Sequence, residues 1–135
     1  MTSRGTDADV PVSRSTVPSA RRAIRVRWLL VLAAAMFVQV LAVYSPGAPH
    51  GPEISGLDKL VHLLLFAAPT FAGLAAGLRP RWLLALLAIH APLSEVVQWA
   101  GLPNRDGDVW DALADLTGVL VAWLLFSGWR ASRRW

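Results

Sequence analysis

The sequence predicts an all-α protein, an integral membrane bundle of four transmembrane helices with the N- and C-termini cytoplasmic. Three observations predict it. Four apolar runs, Trp28–Tyr44, Leu57–Leu78, Trp82–Ala100 and Val109–Trp129, each come close to the roughly 20 residues a helix needs to cross a bilayer. Short Pro- and Gly-bearing turns separate them, and the arginines fall at every second turn. Composition agrees: 55% of the 135 residues are hydrophobic and 16% are charged, where ordinary soluble domains carry about 25%. A soluble fold of this length has too little polar surface to cover so much apolar side chain. Cysteine is absent, which excludes disulfides and thiolate metal sites.

The elements follow in order. Residues 1–26 are rich in Ser, Thr, Asp, Arg and Pro, and are expected to form a disordered basic cytoplasmic tail. The four-helix domain is expected over 27–130, with a basic cytoplasmic end at 131–135. Its first span follows "ARRAIRVR" and contains Gln39 as its only strongly polar residue. Basic-then-apolar is also the pattern of a cleaved signal peptide, the alternative for this span, although the run is longer than most such apolar cores. "YSPGAPHGPEISG" cannot continue a helix. Span two contains Pro69, "RPR" at 79–81 turns the chain, and span three contains Pro92. "GLPNRDGD" leads into span four, and the chain ends in "RASRRW".

The basic residues orient the spans. Arg4, Arg14, Arg21, Arg22, Arg25 and Arg27 precede span one, Arg79 and Arg81 lie between spans two and three, and Arg130, Arg133 and Arg134 follow span four. Only Lys59 and Arg105 of the 13 basic residues lie on the other side. This alternation is the positive-inside pattern. Trp28, Trp82 and Trp129 fall at the basic boundary and Trp99 and Trp110 at the other, as in aromatic belts. The arginines therefore face the cytoplasmic membrane surface, and no nucleic-acid partner is expected.

The acids collect opposite the arginines. Glu53, Asp58, Glu95, Asp106, Asp108, Asp111 and Asp115 all fall at or near the outer ends of spans two to four. His62, Glu95 and Asp115 lie roughly 6–9 Å inside their helix ends at about 1.5 Å per residue. Asp58 and His62 are spaced i, i+4, Glu95 and Gln98 i, i+3, and Asp108, Asp111 and Asp115 i, i+3, i+7, so each set shares one helix face. An ionised group in lipid costs about 2.5–3.5 kcal/mol at mid-membrane on insertion scales. The three polar faces are therefore expected to point at one another. Gly73-xxx-Gly77 and Gly118-xxx-Ala122 offer small-residue faces for close approach.

Asp58-Lys59-x-x-His62-x-x-x-Phe66, Glu95-x-x-Gln98, Arg105, Asp108 and Asp111-x-x-x-Asp115-x-x-Gly118, in that order, resemble the VanZ-like family of small membrane proteins. The resemblance covers about residues 57–123. It implies resistance to lipoglycopeptide-type antibiotics in some members, without a defined biochemical activity. Family members commonly carry Asn where this chain has Asp115, so an extra carboxylate here is neutral, salt-bridged or metal-bound.

Without Glu53, the outer mouth carries a net charge of −4 with His62 neutral. The expected function is a plasma-membrane site for the polar head group of an envelope lipid or peptidoglycan precursor, with membrane lipids as surroundings. Lys59 and Arg105 would hold the anionic part, with Asp58, Gln98, Asp108 and Asp115 as further binding groups. His62, Glu95 and Asp111 are the candidate acid/base residues, with transferase or hydrolase chemistry as one version of this reading. Ser94 directly precedes Glu95 and is not placed as a nucleophile. A cation or proton pathway, and a purely structural cluster with Asp58 or Glu95 paired to Arg105, are the alternatives. His62, Glu95, Asp111 and Asp115 are ligand types for zinc or a harder divalent ion. Their spacing alone assigns no metal, and no cofactor is named.

Overall fold

The computed structural model describes residues 17–46, 56–105 and 107–133, with side chains from Ala20 onward. The remainder of the expected tail (1–16), Glu53, Asp106 and residues 134–135 lie outside the described residues. Four helices, α1 (Val17–Tyr44), α2 (Leu57–Ala75), α3 (Pro80–Gly101) and α4 (Val109–Ser132), account for the fold. All four are long and apolar enough to cross a membrane, which makes the chain a multi-pass membrane bundle by length and composition. Large apolar side chains face outward along every helix, among them Leu30, Phe37, Leu64, Leu86, Ile89, Leu120 and Leu125. Trp82, Trp99 and Trp110 are likewise exposed near helix ends.

Two boundaries differ from expectation. α1 begins at Val17, so 17–26, expected to be unstructured, is helical. Its "ARRAIRVR" segment contains neither Gly nor Pro, and its Ala and Arg residues are strong helix formers. α2 stops at Ala75 instead of Leu78, because Gly77 adopts a left-handed φ of 80°. The Leu78 N–H then bonds the Gly73 carbonyl and the Gly77 N–H the Leu74 carbonyl, a Schellman cap. Gly77 is thus a terminator and not part of a packing face, and a Cβ there would meet nothing. At α3, Pro80 occupies the first turn behind an extended Arg79. At α4, Asp108 caps the helix by accepting from the Trp110 N–H at 2.8 Å. α4 runs to Ser132, into the segment expected as a separate basic end.

α2 and α4 form the central pair, α1 lies against α2, and α3 lies mainly against α4. Gly118 permits the central contact. A Cβ at this position would strike the Leu63 carbonyl oxygen, and would sit 3.0 Å from the Leu63 carbonyl carbon and 3.2 Å from the Ala67 nitrogen. Backbone therefore meets backbone, as small residues allow between membrane helices. Gly73 similarly admits Leu83 of α3. Pro69 and Pro92 are accommodated within continuous helices. The neighbouring Thr70 and Ser94 hydroxyls donate to the Phe66 and Ala91 carbonyls, both at 2.7 Å.

The antiparallel succession gives the bundle a basic end and an acidic end. At the basic end, Phe71 of α2 packs on Trp28, Phe126 and Trp129 at ring-centroid distances of 5.9, 5.8 and 6.3 Å. Arg133 stands 4.4 Å from the centre of the Trp129 ring.

Candidate functional site

The acidic end brings α2, α3 and α4 together through their polar faces. His62 stands one turn inside α2. Its Nδ1 lies 3.1 Å from Asp115 Oδ1 on α4 and 3.9 Å from Glu95 Oε1 on α3. Its Nε2 lies 3.7 Å from Asp111 Oδ2. Asp115 is 0% exposed, and His62 and Glu95 are each 6% exposed. This is the convergence expected from helical spacing, and it occurs at the depth where a charge in lipid is costly.

A second layer lies toward the helix ends. Lys59 Nζ contacts Asp58 Oδ2 at 3.0 Å and Asp108 Oδ2 and Asp111 Oδ1 at 3.2 Å each. One ammonium thus bridges three carboxylates from two sides of the site. The Trp110 N–H, and secondarily Lys59, hold the Asp108 carboxyl below the usual carboxylate range against the opposing effect of burial. Asp111 joins the layers, with one oxygen toward Lys59 and the other toward His62.

The α3–α4 loop locks Glu95. Asn104 takes a left-handed φ of 55°, which Asn tolerates better than most residues. Gly107 then crosses so close to α3 that a Cβ on it would lie 2.6 Å from the Glu95 carbonyl oxygen and 2.9 Å from Trp99 Cβ. That approach lets the Asp108 N–H donate to Glu95 Oε2 at 2.9 Å. The other carboxylate oxygen, Glu95 Oε1, is buried without a hydrogen-bond partner among the described residues, as are Asp115 Oδ2 and Gln98 Nε2. His62, Glu95 and Asp115 each offer one potential ligand atom, and these atoms all lie within 4.8 Å of one another.

Arg105 departs from the expected ion pairs. Its guanidinium turns toward α1 and donates to the Ala42 carbonyl at 2.9 Å, and its salt-bridge distance to Asp58 or Glu95 is not met among the described residues. The tight crossing at Gly107 gives Glu95 a backbone donor from the loop, the Asp108 N–H, in place of the guanidinium, and Arg105, two residues earlier, reaches across to α1. There it lines a cavity of about 1120 Å³ with Ala42, Asp58, Lys59, Val61 and His62. Arg105 Nε is buried without a hydrogen-bond partner among the described residues. The cavity shares Val38, Val61 and Leu65 with an apolar groove of about 490 Å³ that continues between α1 and α2 along Val31, Ala34, Ala35, Leu64 and Ala68.

All nine expected site residues therefore stand at the acidic end, but in separate roles. His62, Glu95, Asp111 and Asp115 form the inner cluster, Asp58, Lys59 and Asp108 the outer ion-paired layer, Arg105 the cavity wall, and Gln98 is buried in α3. Two features escaped the sequence reading: the contribution of α1 through the Ala42 carbonyl, and the close approach of Gly107. A Gly between two Asp residues at a helix entrance was the available signal for the second. His90, the polar residue deepest in span three, bonds the Tyr44 hydroxyl at 2.9 Å and stacks near Phe66.

Fold and site define a polytopic four-helix membrane protein with a buried His–carboxylate cluster under one membrane face. Comparison with family models, curated proteins and solved structures finds no match.

Proposed function

We propose that the protein binds the phosphate-bearing head group of an envelope lipid, of the polyprenyl-phosphate or peptidoglycan-precursor class, at the extracytoplasmic side of the plasma membrane. The observation that carries this reading is the continuity of the two cavities. A chamber whose wall carries Arg105, Lys59, Asp58 and His62 among apolar side chains opens into an apolar groove on the lipid-facing side of α1 and α2. An anionic head with a hydrocarbon tail matches both parts, and the guanidinium fork suits phosphate oxygens. The positive-inside distribution supports the sidedness. The ordered motifs from Asp58 to Gly118 support membership of the VanZ-like family, and with it an effect on glycopeptide susceptibility. His62, paired with Glu95 or Asp111, supplies an acid/base couple beside the bound head.

A cation or proton pathway has less support. Beyond the cluster toward the basic end, the Thr70 and Ser94 hydroxyls donate to carbonyls of their own helices, and His90 is engaged by Tyr44.

The test is photo-cross-linking of purified protein in nanodiscs with a diazirine-bearing polyprenyl phosphate. Arg105→Ala is expected to reduce labelling about ten-fold, the loss of one charge-assisted contact at about 1.4 kcal/mol, and Val61→Trp, which fills the shared wall, to abolish it. Equal labelling of the wild type and both variants rules the reading out.

A further inference from the structure

We propose that His62, Glu95 and Asp115 form a binding site for one divalent transition-metal ion of the zinc class, held between α2, α3 and α4. The inference does not rest on the lipid reading. It starts from two carboxylate oxygens, Glu95 Oε1 and Asp115 Oδ2, that are buried and accept no hydrogen bond among the described residues. Buried acceptors without donors are costly, and here both belong to carboxylates beside the same imidazole nitrogen. Lys59, the nearby ammonium, does not answer them: it is spent on Asp58, Asp108 and Asp111. One neutral imidazole and two carboxylates sum to −2, the charge a divalent ion cancels.

The geometry fits. Tetrahedral zinc with bonds of about 2.0–2.1 Å separates its ligand atoms by about 3.3 Å. The observed separations from His62 Nδ1, 3.1 Å to Asp115 Oδ1 and 3.9 Å to Glu95 Oε1, bracket that edge. A bound ion would take the place of the His62–Asp115 contact, with Asp115 Oδ2 the alternative ligand atom of the same carboxylate. Each of two ligands is also steadied from behind. The Asp108 N–H fixes Glu95 Oε2 and leaves Oε1 to point inward. Asp111 Oδ2 faces His62 Nε2 at 3.7 Å, so a proton on Nε2 leaves Nδ1 free to ligate. Carboxylate–histidine–metal series of this kind orient the imidazole and raise its basicity. Three protein ligands, one of them imidazole, suit zinc or a similar transition ion, whereas calcium takes six to eight oxygens and magnesium demands an octahedron.

The experiment uses the full chain without an affinity tag, stripped with chelator in detergent and titrated with ZnCl2 and, separately, CoCl2. Metal content by mass spectrometry is expected to reach about one zinc per chain, with cobalt giving visible absorption bands of low-symmetry coordination and zinc raising the thermal midpoint. Asp115→Asn and His62→Ala are expected to weaken binding more than about ten-fold, and Asp111→Asn about ten-fold with stoichiometry kept. Ser132→Ala, at the far end of α4, should bind as the wild type does. Helicity is checked by circular dichroism, and Glu95→Gln replaces Asp115→Asn if the latter fails to fold. A wild-type chain that takes up no zinc, ligand variants that bind it equally, or an equal response to CaCl2 overturns the site. Lipid labelling of the stripped protein is measured in parallel. Labelling without zinc uptake removes the metal and leaves the lipid reading standing, and zinc uptake without labelling does the reverse.

Discussion

The two ends of the bundle are held by different means. At the basic end Trp28, Phe71, Phe126 and Trp129 meet ring to ring across α1, α2 and α4, and arginines cover two of the rings. Each contact there is complete in itself. At the acidic end the same α2 and α4 meet through His62, Asp111 and Asp115, and several polar atoms have no partner among the described residues. Lipid tails are as apolar as leucine, so helices in a bilayer gain little from burying apolar surface against one another. Shape and aromatic geometry can hold an end together at no electrostatic cost, as the basic end does. A cluster of buried carboxylates with open acceptors is a poor way to achieve the same thing, since interhelical polar contacts average only about 0.6 kcal/mol in a measured membrane case. The surplus of unmet valence at the acidic end is the physical basis for placing ligands there.

The largest expected effect breaks the basic end alone. Phe71→Ala removes the ring shared by three aromatic partners and is expected to cost about 3 kcal/mol, the low end of Phe-to-Ala losses because lipid withdraws the transfer contribution. Unfolding in mixed micelles by increasing denaturing detergent measures it. If the ends are independent, lipid labelling in the folded variant stays at the wild-type level. Loss of labelling would mean that packing at one end sets the geometry at the other.

How far each end was legible in the sequence follows from the same difference. The spans themselves stood out because length and apolarity are local properties. The convergence of His62, Glu95 and Asp115 was also legible, because equal depth and shared helix faces leave few other arrangements for charges in lipid. The pairing within the cluster was not. Whether Arg105 meets Asp58, Glu95 or the Ala42 carbonyl depends on how the α3–α4 loop crosses α3, which Gly107 and the left-handed Asn104 decide in three dimensions. The start of α1 was missed for a simpler reason: its arginines were read as a solvated tail, although Arg is a good helix former. Gly77 was read as a packing residue because spacing cannot distinguish a small face from a helix terminator.

Gln39 sharpens the comparison from a third position. It is fully buried in α1, on the face of Val43 one turn on, and neither its Oε1 nor its Nε2 has a hydrogen-bond partner among the described residues. If unmet polar atoms are only a cost, Gln39→Leu should stabilise the protein by about 1–2 kcal/mol, read from the same detergent titration. Such a gain, with labelling unchanged, would separate this amide from the acidic end, where the open atoms are expected to serve ligands. A loss of stability would show that the amide has a partner of its own in the membrane.

The smallest expected effect concerns the outer layer, where Lys59 pairs with three carboxylates. Asp108 caps α4 through the Trp110 N–H and also touches Lys59, and these contacts hold its carboxyl below the usual range. A group whose pKa is lower folded than unfolded stabilises the fold above the unfolded value, and the contribution fades as pH falls through the folded one. The wild type is therefore expected to lose a small part of its stability on the acid side of the ordinary carboxylate range. Asp108→Asn keeps a good cap acceptor but no titrating charge. Its stability should lie slightly below the wild type at neutral pH and converge with it in acid, where the carboxyl is protonated in both folded and unfolded chains. Thermal midpoints of the two proteins across that pH range measure the gap. A gap that stays constant would assign the effect to the shape of the cap, whereas one that closes in acid assigns it to the charge facing Lys59 and the α4 N-terminus.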